Sequence, residues 1–233
     1  MSTPLPSDSA APIESSLPRS GFIMALASAL LFAGWTLLVF RTDVVSPFDV
    51  AWAEHFHAYT QRDESLMSAM IFFTDLGGVA CMTLLPILGA IWQHGIGKGR
   101  LALAWIIVVA GGGALNVVSK NLANRARPGE ELRAAVVHER NYSYPSGHAM
   151  GSAIGYGMLG YALVRTQSRR GVQVATTLLL IGVVGTIGFS RTYLRAHWFS
   201  DVIGGWLIGL AWLSLCLGWI ERQRLRAKEP RME

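Results

Sequence analysis

The stretch that decides the fold is LALAWIIVVAGGGALNVVS, residues 101–119, which is followed at once by KNLANRARP, residues 120–128. The first segment carries no charged residue. Its length matches the ~20 apolar residues that cross a bilayer core about 30 Å thick. The second segment is short and basic. This order predicts a membrane-spanning helix that ends in a group of cationic side chains.

The same alternation of apolar runs and short polar segments extends along the chain. Of the 233 residues, 52% are hydrophobic and only 15% are charged, which leaves too little polar surface for a soluble globule. The apolar runs lie at 21–40, 75–94, 101–119, 148–164, 174–190 and 202–220. We therefore predict an all-α, polytopic membrane bundle with about six transmembrane helices, formed by one domain at 21–220.

The segments outside these runs have three different characters. Residues 1–20 are rich in Ser, Pro and Ala and are predicted to be a disordered tail. Residues 47–72 mix aromatic, histidine and charged side chains, which predicts an amphipathic segment at the interface rather than a span. Residues 221–233 form a basic tail.

Basic residues are concentrated after the second and fourth predicted spans and in the C-terminal tail. They are Lys98, Arg100, Arg165, Arg169, Arg170, Arg222, Arg224, Arg226, Lys228 and Arg231. The positive-inside rule therefore predicts that both termini are cytoplasmic. Because the formal charge of +5 is dispersed over loops and a tail, the sequence does not favour nucleic acid as a partner. The bilayer itself is the expected environment.

The first of three polar clusters closes the third predicted span. If the helix continues to Pro128, positions 120, 124 and 127 share one face, so Lys120 and Arg127 point toward one pocket. Alternatively, these cations only complement the negative end of the helix, and we assign Arg125 to that structural role.

The second cluster is Tyr144-Pro145-Ser146-Gly147-His148, directly before the fourth span. Ser146 is placed to cap the helix, and Gly147 lets backbone N–H groups approach a ligand. Helix N-termini bind anions such as phosphate. His148 lies beside them and is a candidate general acid. An ordinary turn with an interfacial histidine is the alternative.

The third cluster runs from Ser190-Arg191 through His197 to Asp201. His197 and Asp201 are four residues apart, so on a helix the carboxylate accepts the Nδ1 proton of the imidazole. The other ring nitrogen is then a candidate nucleophile. Arg191 supplies a planar fork for phosphate oxygens. The alternative is a polar helix start with Asp201 near the positive end of the dipole.

Together, Lys120-x6-Arg127-Pro128, Pro145-Ser146-Gly147-His148 and Ser190-Arg191-x5-His197-x3-Asp201 resemble the three-part signature of the type 2 phosphatidic acid phosphatase and vanadium haloperoxidase superfamily. The resemblance implies a helical fold, a phosphohistidine formed on His197, and no metal or other cofactor. It also implies that Asp201 orients His197 and His148 protonates the leaving group. The expected phosphate-binding residues are Lys120, Arg127, Ser146, Gly147 and Arg191.

The resemblance implies a membrane lipid phosphate as substrate and a bacterial inner membrane as the environment. The charge rule places the three clusters, at the ends of spans three and five and the starts of spans four and six, on the non-cytoplasmic face. Undecaprenyl diphosphate is the first expectation, followed by phosphatidylglycerophosphate, phosphatidic acid and lipid A. A phosphotransferase that uses the same phosphohistidine, a haloperoxidase and a catalytically silent membrane scaffold remain alternatives. The sequence leaves the oligomeric state open.

Overall fold

The computed structural model describes residues 11–60 and 63–228, and these residues form eight helices and no strand. The helices are α1 (Ala11–Arg41), α2 (Val45–Thr60), α3 (Glu64–Leu76), α4 (Val79–Gly95), α5 (Gly99–Ala123), α6 (Gly147–Val164), α7 (Arg170–Tyr193) and α8 (Phe199–Arg226). The all-α prediction is confirmed.

The number of spans differs from the predicted six. Among the described residues, four helices are long and apolar enough to cross a membrane: α1 from Ser16, α5, α7 and α8. Counting the bent pair of α3 and α4 as one span gives five. Helix α6 has nearly the predicted bounds but is not among them, since its sequence is rich in Gly and also carries His, Ser and Tyr. Six spans are therefore not confirmed.

Helix α6 lies at the centre of the bundle, which explains its composition. Its residues Met150, Ile154 and Met158 are at most 1% exposed, and they pack with Trp105 of α5 and Leu213 of α8. Because this helix faces protein rather than lipid, small residues bring its neighbours close and a high hydropathy is not required. The lipid-facing leucines and isoleucines lie instead on the outer faces of helices such as α1 and α7.

Helices α3 and α4 correct two predictions. Residues 64–72 were assigned to the interface, but they belong to α3, which passes the length and composition test together with α4. The helix axis bends by 46° at Gly77–Gly78. The second span was predicted to start near Asp75, whereas α4 begins at Val79.

The first and last helices pack side by side in opposite directions. Near the N-terminus of α1, a Cβ on Gly21 would lie 2.7 Å from Cα of Gly218 in α8. Near its other end, the indole of Trp35 donates to the carbonyl of Ser200 at 3.0 Å. The N-terminal end of α1 and the C-terminal end of α8 therefore lie at the same end of the bundle.

This packing extends past the predicted domain limits. Helix α1 begins at Ala11, within the segment 1–20 that the sequence predicts as a disordered tail, while residues 1–10 of that segment lie outside the described part. Helix α8 continues to Arg226, so residues 221–226 are not a separate tail. The reason is contact: Glu221 is 4% exposed and accepts from Tyr161 at 2.6 Å and from Arg165 at 2.5 Å. Residues 229–233 are outside the described part.

The small residues of α8 allow it to approach the start of α6. A Cβ on Gly205 would lie 2.6 Å from the carbonyl oxygen of Ser146, and one on Gly209 would lie 3.0 Å from that of Met150. These neighbours are backbone atoms, which cannot rotate away as side chains do. The glycine spacing thus sets the distance between the two helices.

We expect Gly205→Ala to destabilise the protein by about 1–3 kcal/mol, because the added methyl group forces α8 away from the Ser146 turn. The midpoint of thermal unfolding in detergent measures this effect. Gly185→Ala in α7 is the matched control, since a Cβ there meets nothing within 4 Å. Equal midpoints for the two variants would contradict the packing described.

Candidate active site

The three polar clusters meet at one end of the bundle. They lie at the C-terminal ends of α5 and α7 and at the N-terminal ends of α6 and α8. The loop 124–146 lies over this end, where its Ala134 and Val137 pack against Tyr193 and Leu194. The loop therefore belongs to the wall of the site.

Lys120 and Arg127 converge, although not by the predicted route. Helix α5 ends at Ala123, and Asn124 has a left-handed conformation with φ 49°, so residues 124–127 do not continue the helix face. The prediction of a shared helical face is wrong because the chain turns at this C-cap. Lys120 instead donates to the carbonyls of Tyr142 at 2.5 Å and Ser143 at 3.2 Å.

Ser146 caps α6 as predicted. Its hydroxyl accepts from the N–H of Ala149 at 3.5 Å, and its own N–H donates to the carbonyl of Asp201 at 3.0 Å. Gly147 follows with no side chain to cover the first turn. The first N–H groups of a helix have no partner within it and favour an anion. This turn therefore has the geometry of an anion cradle, with His148 as its next side chain.

His197 and Asp201 face each other, with Nδ1 of His197 3.4 Å from Oδ2 of Asp201. The predicted placement of both on a helix is wrong, because α8 begins at Phe199. His197 precedes the helix, and Asp201 caps it by accepting from the N–H of Trp198 at 2.9 Å. An acidic group in the first turn also satisfies the helix dipole.

The hydrogen bonds indicate which nitrogen of His197 carries the proton. Nη1 of Arg127 lies 3.2 Å from Nε2. Arginine only donates, so Nε2 accepts and the proton of the neutral ring is on Nδ1, toward Asp201. Nε2 thus holds a lone pair beside a guanidinium group. That is the arrangement a nitrogen nucleophile needs.

Burial and the nearby cations Arg127, Arg191 and Lys120 lower the pKa of His197 well below its ordinary value. The imidazole is therefore neutral at pH 7 and keeps its lone pair. Burial is also the main cause that lowers the pKa of Arg127 to about 10, which leaves this group cationic. A neutral imidazole next to permanent cations suits attack on an anionic phosphorus centre.

Arg191 is held by partners of its own. It donates to the hydroxyl of Thr74 at 2.8 Å and forms a short ion pair with Glu139. Burial opposes ionisation of Glu139, but the charge and hydrogen bond of Arg191, a backbone hydrogen bond and the charge of Arg127 together outweigh burial and lower the pKa of this carboxyl to about 2. The Nε of Arg191 is buried and has no hydrogen-bond partner among the residues that the structure describes. A phosphate that reaches Arg191 must therefore compete with Glu139.

A cavity of about 590 Å³ contains five of the predicted site residues, Lys120, Arg127, Gly147, His148 and His197. Arg191 lines an adjoining cavity of about 430 Å³, which shares His148 and Glu139 with the first. Asp75 also lines the second cavity. Asp201 and Ser146 are fully buried behind these walls. The predicted residues thus lie around one region, but Arg191 is separated from the main cavity by Glu139.

Sequence reasoning missed several polar contacts of this region. Arg125, which we assigned to a structural role, donates to Asp201 at 2.6 Å and to Asp49 at 2.8 Å. Ser143 donates a short hydrogen bond to Asp201. The sequence indicates a role for Asp49 only by placing a carboxylate in a largely apolar segment. Ionisable groups near a membrane are costly, so they are retained mainly where they have a partner or a function.

The comparisons with known proteins agree with this geometry. Residues 101–225 match the PAP2 superfamily. The chain is 31% identical over 198 residues to phosphatidylglycerophosphatase B of Bacillus subtilis (strain 168), covering 77% of this chain and 94% of that protein. It is 29% identical over 119 residues to an undecaprenyl-diphosphatase of Sulfolobus acidocaldarius, covering 49% of this chain and 50% of that protein.

A solved structure has the same architecture. It is described as the first transmembrane PAP2 type phosphatidylglycerolphosphate phosphatase from Bacillus subtilis, and it superposes with a TM-score of 0.71 at 25% identity. The match covers 90% of this chain and 99% of that one. The family resemblance inferred from the three motifs is confirmed. With more than half of its length matched, this multi-pass membrane chain belongs to the PAP2 superfamily and is a phosphatase of that type.

Proposed function

We propose that the protein is a metal-independent lipid phosphatase that hydrolyses a phosphomonoester or diphosphate through a phosphohistidine on His197. The observation that carries this proposal is that the cavity of about 590 Å³, the main cavity, has one polar end and one apolar wall. Its polar end holds the imidazoles and cations described above, and its remaining wall is apolar. That wall is formed by α4, α5 and α6 and includes Val79, Ile87, Ile106, Val109 and Ile154.

In the first step the lone pair on Nε2 of His197 forms a bond to phosphorus. The bond from phosphorus to the lipid oxygen breaks, and protonated His148 gives its proton to that oxygen. The charge of the bound phosphate favours the protonated form of His148. Lys120, Arg127 and the N–H groups at Gly147 stabilise the charge that develops on the equatorial oxygens.

In the second step water replaces the lipid. His148 takes a proton from the water, whose oxygen bonds to phosphorus while the bond to Nε2 breaks. The electron pair returns to His197, and phosphate leaves. Asp201 stabilises the imidazole in both steps because it accepts from Nδ1. A phosphotransferase would differ only in the acceptor, so a lipid hydroxyl would take the place of water.

The apolar wall supports a lipid substrate. Val79 and Ile87 of α4 and Ile106 of α5 line the cavity and are also exposed on the outer surface of the bundle. The cavity therefore opens toward the lipid side between these helices. A headgroup at the helix ends and a tail along this wall match the depth of a lipid in its leaflet.

The substrate class is tested with purified protein in detergent micelles. Phosphate release is measured from phosphatidylglycerophosphate, undecaprenyl diphosphate, phosphatidic acid and lipid A, with and without a chelator and with vanadate as a five-coordinate phosphorus mimic. The first two substrates have priority because relatives carry those names. Release that persists in chelator and is inhibited by vanadate supports the proposal. No release from any lipid phosphate would favour the silent scaffold, and a labelled acceptor lipid would reveal a transferase.

We expect Gly113→Leu to raise KM for lipid phosphates roughly tenfold. Gly113 lines the cavity, and a Cβ there meets nothing within 4 Å, so a leucine can occupy the groove without moving the helix. Displacing about two methylene groups of the lipid tail costs about 1.6 kcal/mol. Hydrolysis of p-nitrophenyl phosphate, which has no tail, is expected to be unchanged.

The matched control for this groove variant is Gly182→Leu, which lies in α7, also has open space and does not line the cavity. An equal effect on the lipid and the tailless substrate would show that the groove does not hold the tail.

The proposed environment is the bacterial inner membrane, with the site on the non-cytoplasmic face and both termini cytoplasmic. The N-terminal end of α1 and the C-terminal end of α8 lie together at the end of the bundle opposite the site, which supports this orientation.

A further inference from the structure

Asp49 is a buried carboxylate outside the three motifs. It lies in α2 and is 1% exposed, and its Oδ2 is 2.8 Å from Nη2 of Arg125. The other terminal nitrogen of the same guanidinium, Nη1, is 2.6 Å from Oδ1 of Asp201. One arginine thus joins two buried carboxylates from different helices. A planar guanidinium has the donor geometry to do this, whereas a lysine does not.

Asp49 also holds the first turn of α8. Its Oδ1 accepts from the backbone N–H of Ser200 at 3.0 Å, and its Oδ2 accepts from the Ser200 hydroxyl at 2.5 Å. That N–H is one of the first donors of the helix, which have no partner within it. Asp49 therefore holds the residue directly before Asp201 from a second direction.

These contacts assign the two oxygens of Asp201 to different partners. Arg125 takes Oδ1, and Oδ2 is left for Ser143, for the N–H of Trp198 and for Nδ1 of His197. A carboxylate without such a partner could rotate, or turn toward the nearest cation of the cavity. Two buried carboxylates also require a buried cation between them, since unpaired buried charges are costly.

We infer that Asp49 and Arg125 are positioning residues for the reaction, which hold Asp201 so that its Oδ2 faces His197. This inference rests on the proposed function and extends it to α2, a helix outside the catalytic motifs. Neither residue lines the two cavities of the site. Their effect passes through Asp201, so it is expected in kcat rather than in KM.

The test compares Asp49→Asn and Arg125→Lys with the unmodified enzyme, each alone and combined with Asp201→Asn. We expect each single variant to lower kcat ~10- to 100-fold, the size of effect that a small misplacement of a catalytic group produces. KM should change by less than about twofold. In the Asp201→Asn background, assayed at high enzyme concentration, neither substitution should lower kcat further, because residues that act through one group are not additive.

Two results would overturn the inference: an unchanged kcat in Asp49→Asn, or the same fractional loss with and without Asp201. The second result would identify a pair that only braces α2 against α8. If Asp49→Asn does not accumulate as folded protein, Arg125→Lys decides alone, because it keeps the positive charge. Glu54→Gln in the same helix is the control, since Glu54 is exposed. Absence of phosphatase activity in the unmodified protein would refute the proposed function instead.

Discussion

Replacing His197 with Ala is expected to reduce phosphate release from lipid substrates by at least about a thousandfold, because no other group replaces a lost nucleophile. In this structure Nε2 of His197 is the ring nitrogen that carries the lone pair, and Nη1 of Arg127 lies 3.2 Å from it. The reduction should appear in kcat, since the cations that bind phosphate remain. Substrate binding should be changed much less.

The measurement is phosphate release at saturating lipid, together with trapping of acid-labile, protein-bound phosphate from a labelled substrate. The unmodified enzyme should yield such a species and His197→Ala should not. His94→Ala is the control, because His94 is exposed and lies in the last turn of α4, far from Val79 at the site. Undiminished release by a folded His197→Ala protein would refute the phosphohistidine mechanism.

We expect the second-largest effect at Arg127, where substitution by Lys should lower kcat/KM about a hundredfold. Arg127 donates to the carbonyl of Ala196 at 2.5 Å, and to the carbonyl of Asn141 at 2.8 Å. It thereby fixes both the residue before His197 and the loop over the site. A lysine keeps the charge but cannot make these contacts and also hold phosphate oxygens.

Initial rates over a range of lipid concentrations separate the two contributions of Arg127. Loss of phosphate binding raises KM, and loss of transition-state stabilisation lowers kcat. Arg140→Lys is the matched control, since Arg140 belongs to the same loop and is exposed. Comparable rates for Arg127→Lys and the unmodified enzyme would remove Arg127 from the proposed machinery.

The sequence predicted which polar residues lie near one another better than it predicted the backbone that positions them. Residue types and spacing selected His148 and His197 as candidates, because the expected chemistry requires imidazoles at the ends of apolar runs, and both line the main cavity. The same reasoning extended the helix through residues 124–127 and placed His197 on a helix. Both errors arise at helix ends, where the left-handed Asn124 and the cap made by Asp201 decide the path of the chain.

The contacts that the sequence did not predict are those between distant segments. Asp49 and Asp201 are joined through Arg125, and Glu139 neutralises Arg191. Local sequence patterns do not predict such pairs. A charged residue requires a partner of opposite charge, but its sequence neighbourhood does not show which distant residue that partner is. The predicted number of six spans is not confirmed, for a related reason. Hydropathy measures how well a segment suits lipid, whereas α6 is surrounded by other helices of the same chain.

The antiparallel contact between α1 and α8 also affects how the protein is made. Trp35 and Ser200 are 165 positions apart, and Thr36 bonds to Tyr144 at 2.7 Å across 108 positions. Because α8 is the last helix of the chain to be synthesised, α1 can form these contacts only after the rest of the domain has been made. His197 and Asp201 arrive with that final segment. On the proposed mechanism, a chain that ends before His197 is therefore inert toward lipid phosphates, because it lacks both the nucleophile and the carboxylate that orients it.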